Sequence, residues 1–346
     1  MKQIHELTLG EWRSWMQEHG MPAYRAGQLY EWLWKRSVTD IQDMRNLPQA
    51  LRDLLSQEFR MEHVSLSEKC ESGDGSVKYA VRLDDGRQVE TVLIPSRNRS
   101  TVCVSSQVGC PLNCRFCATA HLGFARNLTA YEMYAQVFMA NQESLERFGH
   151  PLSNLVWMGM GEPLLDFEAV KAAIGRVTAS DGLAFSPSRI TVSTAGLADG
   201  ILRLADELPS VNLAVSLHTA DDVQRRELMP VAKRYPLSRL SEALSEYHKR
   251  TGNRITIEYM LLKGINDSPH HVDLLLQFCK KFPVKINVIE YNPHPYAPFA
   301  PSESAVESAF VRRLEEKNLI VNIRRSKGRD IAAACGQLAN RKKKSV

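Results

Sequence analysis

The chain has 346 residues, enough for one large domain with an appendage or for two domains. Its 44% hydrophobic and 24% charged content excludes a disordered chain, and no apolar run is long enough for a membrane-spanning helix. The start, Met1-Lys2-Gln3-Ile4-His5-Glu6, lacks the apolar core of a secretory signal, so a cytosolic (cytoplasmic) chain is expected, with seven reduced cysteines acting as ligands or catalysts rather than staples.

The net charge of +5 is unevenly spread. Arg312 to Val346 carries eleven Lys/Arg against three acids, an excess of +8 that leaves −3 for the rest. Pro95 to Tyr131 holds four arginines (Arg97, Arg99, Arg115, Arg126) and no acid. Both features suit a polyanionic partner such as nucleic acid, although a basic tail serves solubility equally well.

Residues 1–65 read as a helical module. Trp12, Trp15 and Met16 share a face, as do Leu29, Trp32 and Leu33, and again Leu47, Leu51, Leu54 and Leu55. Its eight basic and eight acidic residues up to Arg60 balance, and its aromatics read as core. Residues 66–99 read as a linking β-hairpin: 76–83 and 88–94 alternate about the turn Asp84-Asp85-Gly86, and Cys70 falls in a polar loop before it.

From residue 100 the pattern becomes strand, loop, helix, repeated through 338. Strands are predicted at 101–105, 154–159, 189–193, 211–217, 254–262 and 284–291, and helices at 129–147, 166–179, 197–207, 238–250 and 269–281. Six such units imply an α/β fold with a parallel sheet, as an open barrel or doubly wound. The proline-rich run 292–301 reads as a stiff wall or lid, and 339–346 as a basic tail.

Cys110, Cys114 and Cys117 place three thiols within eight residues. On a tight loop they can hold an iron–sulfur cluster with one iron left open for chemistry; with His121 they equally make a closed zinc set. The other strand ends also carry polar groups. Gly159-Met160-Gly161-Glu162-Pro163 follows the second strand, with two glycines expected to admit a ligand and Glu162 offered to an amine. Ser193-Thr194, Ser216-Leu217-His218, Glu258 and Asn292 come with the next four. In a parallel barrel such groups gather at the carboxyl-end rim, although each alone has a plainer reading as a cap, a turn or a buried structural group. Cys279 reads as core. Cys103 should point into the barrel, and Cys335 lies among small residues with Lys327 and Arg329 near enough to favour its thiolate.

Together Cys110-x3-Cys114-x2-Cys117, Gly159-Met160-Gly161-Glu162-Pro163, Ser193-Thr194, Ser216-Leu217-His218 and Ala332-Ala333-Ala334-Cys335-Gly336-Gln337-Leu338 resemble the radical-SAM (S-adenosylmethionine) adenine methyltransferases of ribosomal and transfer RNA. The resemblance covers nearly the whole chain and makes a partial (β/α)6 barrel the expected fold. It implies a [4Fe–4S] cluster on Cys110, Cys114 and Cys117. It further implies S-adenosylmethionine, two per turnover, bound by Gly161, Glu162, Ser193, Ser216, Leu217, His218 and Asn292. Cys335 would first take a methyl group. A 5′-deoxyadenosyl radical would remove hydrogen from it, and the carbon radical would add to C2 of adenine. Glu90 would take the C2 proton, and Cys103 would attack Cys335, forming a disulfide. The implied partners are 23S rRNA, tRNA and a reductant such as flavodoxin or ferredoxin, with no membrane. The chain departs from the family pattern at Ala232, Arg329 and the loop after Asn292. Methylation at adenine C8, and a non-catalytic zinc-containing RNA-binding protein, stand as alternatives.

Overall fold

The computed structural model describes residues 1–339. Helices Leu9–Glu18, Tyr24–Tyr30 and Gln49–Glu58 build the N-terminal module. Thr8 starts the first with a reciprocal cap: its hydroxyl accepts from Glu11 N (3.3 Å) and its own N–H donates to the Glu11 carboxylate (2.7 Å), a device worth about 1 kcal/mol. Trp12, Met16, Leu29, Leu33, Trp34 and Leu51 are buried, so most of the module's aromatics are core, as predicted, while Tyr24 is exposed and Trp32 half-buried. The module also packs on the barrel's helices. His5 stacks on Tyr131 at 3.5 Å, Trp34 meets Tyr134 edge-on at 5.1 Å, and the Arg176 guanidinium lies 4.5 Å over the Tyr30 ring.

Among the described residues, ten strands form one continuous sheet. The six predicted strands are found at Arg99–Cys103, Asn154–Trp157, Ile190–Thr194, Asn212–Ser216, Ile255–Leu261 and Val284–Glu290, paired in parallel in that order. Their connecting helices run Ala130–Phe148, Phe167–Thr178, Ala198–Glu207, Leu237–Thr251 and Pro269–Cys279. Apolar stripes such as Ile201, Leu204 and Ala205 face the sheet. The Ile255–Leu261 strand is buried at every position, as expected of a parallel strand covered on both faces.

The structure corrects three expectations. A seventh parallel strand, Ile320–Arg324, continues the barrel beyond Val284–Glu290 after the helix Ser304–Glu315. It hid in the basic stretch because exposed residues (Ile320, Asn322, Ile323) blur its pattern. Much of that stretch's charge is spent internally: Arg313 on Asp273, Arg324 on Glu258, Arg325 on Glu307 and Arg329 on Glu290. Likewise Arg126 is tied to Glu132 and Asp85, whereas Arg97, Arg99 and Arg115 are exposed.

The hairpin strands Val77–Arg82 and Gln88–Ser96 form as predicted, but Ser65–Glu71 joins them as a third strand. Cys70 therefore lies in an edge strand, not a loop. Gln88–Ser96 pairs antiparallel with Arg99–Cys103, so these strands extend the barrel sheet itself. The basic tail expected at 339–346 lies, apart from Ala339, outside the described residues.

Candidate active site

All seven parallel strands end on one rim, and a cavity of about 430 Å³ opens there. Cys103, Cys110, Cys114, Cys117 and Cys335 all line it, with Gly161, Glu162, Ser193, Ser216, His218 and Arg324. Cys103 and Cys335, 232 positions apart in sequence, thus share one chamber.

The cysteine loop is fixed at its base by a glycine. Gly109 sits at φ +77°, and a Cβ there would stand 1.7 Å from the Gly123 carbonyl oxygen. The close approach lets Cys110 N donate to Gly123 O (3.0 Å). Asn113 takes a left-handed turn at φ +54°. Outside, the proline-rich loop acts as the predicted wall: the His294 ring N–H donates to Phe116 O at 2.9 Å, and Tyr296 stacks on His121 at 5.5 Å. His121 is thereby drawn toward that loop and does not line the cavity with the thiols. Among the described residues no three His, Cys, Asp or Glu side chains close on a single ion.

Burial pushes the Cys110 thiol up to about 12 and raises those of Cys114 and Cys117, each aggravated by its neighbours' charge. Three thiolates crowded in a dry loop need a positive centre. Arg225 already supplies one cation: it is fully buried, held by Ala195 O (2.6 Å) and Leu217 O (3.3 Å), and within electrostatic reach of Cys114. Burial lowers its pKa to about 10, and its Nη1 has no partner among the described residues. A buried guanidinium with one nitrogen unpartnered, beside a thiol triad, offers a countercharge that an anionic metal–thiolate cluster could use. Nothing in the sequence pattern marked Arg225.

Gly159 and Gly161, expected to admit a ligand, both line the cavity, and close packing behind them also requires glycine. A Cβ on Gly159 would lie 2.6 Å from Val104 O, and one on Gly161 2.6 Å from the Gln107 Cβ. Glu162 is also more occupied than expected. Its two oxygens accept from Leu164 N (3.1 Å) and Ala195 N (2.7 Å), while burial lifts its pKa to about 7. Thr194 caps its own turn, accepting from Gly196 N (3.1 Å) and Leu197 N (3.2 Å).

His218 stands at φ +57° and its Nδ1 accepts from Met260 N at 3.1 Å, which leaves the ring proton on Nε2. Burial, with Arg225 nearby, lowers its pKa to about 3 and keeps it neutral. Three expected site residues do not line the cavity. Leu217 is a core side chain. Asn292 is buried, donating to Ser326 Oγ (2.9 Å) and Cys335 O (3.4 Å), with its own Oδ1 unpartnered. Glu90 is buried and paired with Lys78 at 2.9 Å.

The two thiols share a cation that sequence reasoning missed. Arg324, at the end of the seventh strand, has Cys335, Glu258 and Cys103 within electrostatic reach, and together these outweigh the effect of its burial. Arg329, expected in that role, is turned to Glu290 at 3.3 Å. Burial and the proximity of Cys335 push the Cys103 thiol up to about 12. Glu258, Asn287 and Asn322 occupy one register row across three strands, so their side chains share a face and link by hydrogen bonds of 2.8 and 3.3 Å.

This chamber at a parallel-barrel rim matches the radical SAM superfamily, whose model fits residues 104–276; residues 3–61 fit the ribosomal RNA large subunit methyltransferase N-terminal domain. Relatives described as probable dual-specificity RNA methyltransferase RlmN include that of Flavobacterium johnsoniae, 45% identical over 340 residues, covering 98% of this chain and 97% of the relative. That of Thermus thermophilus is 44% identical over 317 residues, covering 91% and 89%. The crystal structure of a radical SAM methyltransferase from Sphaerobacter thermophilus superposes with a TM-score of 0.92 at 39% identity, covering 98% of this chain and 99% of that one. The protein is therefore a radical S-adenosylmethionine-dependent RNA methyltransferase. Within that class, the chain belongs to the RlmN family. The family implies a [4Fe–4S] cluster and S-adenosylmethionine, and the buried thiol triad with its Arg225 countercharge fits the cluster. No described helix is long and apolar enough to cross a membrane.

Proposed function

We propose that this enzyme methylates C2 of adenine in 23S rRNA and in tRNA, with Cys335 as methyl carrier and Cys103 as resolving thiol. The observation that carries the reading is the lining of one cavity by Cys335, Cys103 and the Cys110, Cys114, Cys117 triad. A carrier thiol has to reach both a methyl donor and the resolving sulfur, and this chamber offers both.

With its cofactor bound, the cluster supplies one-electron cleavage of S-adenosylmethionine to a 5′-deoxyadenosyl radical, chemistry that amino-acid side chains lack. The chain's own residues do the rest. Cys110, Cys114 and Cys117 hold the cluster, while Gly161, Glu162, Ser193, Ser216 and His218 shape the cofactor's berth. Leu217 holds the Arg225 guanidinium through its carbonyl, and Asn292 steadies the Cys335 carbonyl. With S-adenosylmethionine bound, the Cys335 thiolate would attack its methyl group: an S–CH3 bond would form as the sulfonium–methyl bond broke, and the thiol proton would go to solvent. A second S-adenosylmethionine per turnover accounts for activating that methyl. Once carbon is joined to adenine C2, Glu90 would take the C2 proton and the adduct's unpaired electron would pass to the cluster, the one-electron carrier, which leaves a closed-shell thioether. Cys103 sulfur then attacks Cys335 sulfur: an S–S bond forms, the C–S bond breaks, and its electron pair stays on carbon, which takes up a proton. Glu90 acts as this base by exchanging the Ala339 N–H it now accepts (2.8 Å) for the substrate.

Reaching C2 requires an unstacked adenine, so the target is a loop or bulge. We assign RNA gripping to the 1–65 module, the exposed arginines near the thiol loop and the tail, and electron supply to a flavodoxin or ferredoxin. Residues 66–99 and 100–338 form the remaining units of this division, in a cytoplasmic protein. The test is anaerobic incubation of reconstituted enzyme with S-adenosylmethionine, reductant and 23S rRNA or tRNA, followed by nucleoside mass spectrometry. 2-Methyladenosine is expected from both RNAs; 8-methyladenosine, or no methylated adenosine, overturns the reading.

A further inference from the structure

The segment that carries Cys335 has little structure of its own: one short 3-10 turn, Arg329–Ile331, and left-handed residues at Gly328 and Ala332. Something outside it has to fix the thiol. Two buried charged residues on the adjoining antiparallel strands do so. Lys78 and Glu90 are diagonal neighbours on one face of paired strands, since Ala80 stands opposite Glu90 and Lys78 opposite Val92. Their side chains meet at 2.9 Å, and both residues are more than nine-tenths buried. Lys78 Nζ also donates to Ala332 O at 3.3 Å, three residues before Cys335. Glu90 accepts from Ala339 N at 2.8 Å, four residues after it. The cation thus holds one leg of the loop, the anion holds the other, and the thiol lies between.

We propose that the Lys78–Glu90 pair is a clamp on both legs of the Cys335 loop, which makes Lys78 a positioning residue for the thiol. Its importance for turnover rests on the carrier role of Cys335 argued above. A buried pair suits this duty. Neither ion tolerates burial without the other, so the two legs are fixed together or released together. Thr119 Oγ1, donating to Leu338 O (2.7 Å), and Ala118 N, donating to Gly336 O (2.8 Å), tie the outgoing leg to the cysteine loop. These two bonds do not reach the incoming leg at Ala332. Asp74, accepting from Gly328 N (2.9 Å), and Asp330, accepting from Ser72 Oγ (2.6 Å), hold that leg farther from the thiol, and Lys78 holds it between Asp330 and Cys335.

The test compares unaltered and Lys78→Met holoenzyme, reconstituted anaerobically. Amide hydrogen exchange over 332–339 should quicken at least tenfold in the variant, while exchange over the barrel strand 255–261 stays unchanged. Mass gain of one methyl on Cys335, measured with S-adenosylmethionine and no RNA, should slow by a similar factor at equal iron per chain. Lys78→Arg, which keeps a cation, should restore both. Unchanged exchange over 332–339, or no rescue by arginine, overturns the clamp. If Lys78→Met fails to hold iron, Lys78→Gln carries the test, and protection of 332–339 equal to that of the unaltered chain overturns the proposal. A wild-type Cys335 that never gains a methyl sinks the carrier role instead, and the exchange result still judges the clamp.

Discussion

Arg324 stands with Nη1 3.4 Å from both carboxylate oxygens of Glu258, and the same guanidinium has Cys103 and Cys335 within electrostatic reach. The ion pair couples the barrel's inner polar row to its chemistry. Glu258 is nearly fully buried, so Arg324→Met leaves a buried carboxylate without its cation, a loss of roughly 3–5 kcal/mol. The guanidinium itself is about a third exposed, which places the expected loss at or below the low end of that range. Glu258→Gln in the same chain should recover part of it. Thermal unfolding of the two single variants and the double variant checks this: strict additivity would mean that the pair does not interact.

Gly109→Ala places a Cβ on top of the Gly123 carbonyl at a backbone conformation that costs an alanine about 1–2 kcal/mol before any clash. The base of the cysteine loop has to shift. Iron retained per chain after reconstitution should fall well below that of the unaltered protein. Far-ultraviolet circular dichroism should change little, because the barrel strands do not depend on this contact.

The two thiols of the chamber should separate by phenotype. Cys335→Ala abolishes methylated product while leaving cluster assembly intact, since it lies outside the triad. Cys103→Ala stops one step later, with Cys335 joined to RNA and no sulfur to release it. Gel electrophoresis of the denatured mixture checks this: a protein–RNA adduct is expected for Cys103→Ala and none for Cys335→Ala.

His218 makes the fold acid-sensitive. Its pKa is lowered to about 3, against 6.5 when unfolded, so the unfolded chain binds a proton that the folded chain refuses. The stability from keeping this ring neutral is fully present above about pH 6.5 and is lost as pH falls toward 3, at up to about 1.4 kcal/mol per unit. His218→Asn, which suits the left-handed backbone, should flatten the stability profile between pH 6.5 and 4. Denaturant midpoints across that range test it, and parallel profiles would discount the histidine.

Arg225→Met removes the buried cation near Cys114. Less positive charge beside a cluster disfavours the extra electron, so the midpoint potential should shift downward, which a spectroscopic redox titration reads. An unshifted potential at equal iron content would mean that Arg225 serves the fold alone.

The sequence alone determined the thiol triad, the six βα units and the rim position of the polar residues. These follow from local spacing and from the two periodicities of strand and helix, which survive without knowledge of partners. Family resemblance added the roles of Cys335 and Cys103, which no local pattern assigns. Tertiary structure alone decided the rest. The seventh strand emerged only through pairing with its neighbour. Gly159 and Gly161 proved to be required by the close approach of residues 104–107. Arg225 and Arg324 became site residues because distant segments brought thiols to them, and the hairpin became the seat of the Cys335 loop because Lys78 and Glu90 meet Ala332 and Ala339. The physical reason is the same in each case. Burial and electrostatics depend on what lies within a few ångströms, and in a parallel barrel those neighbours come from strands many residues apart.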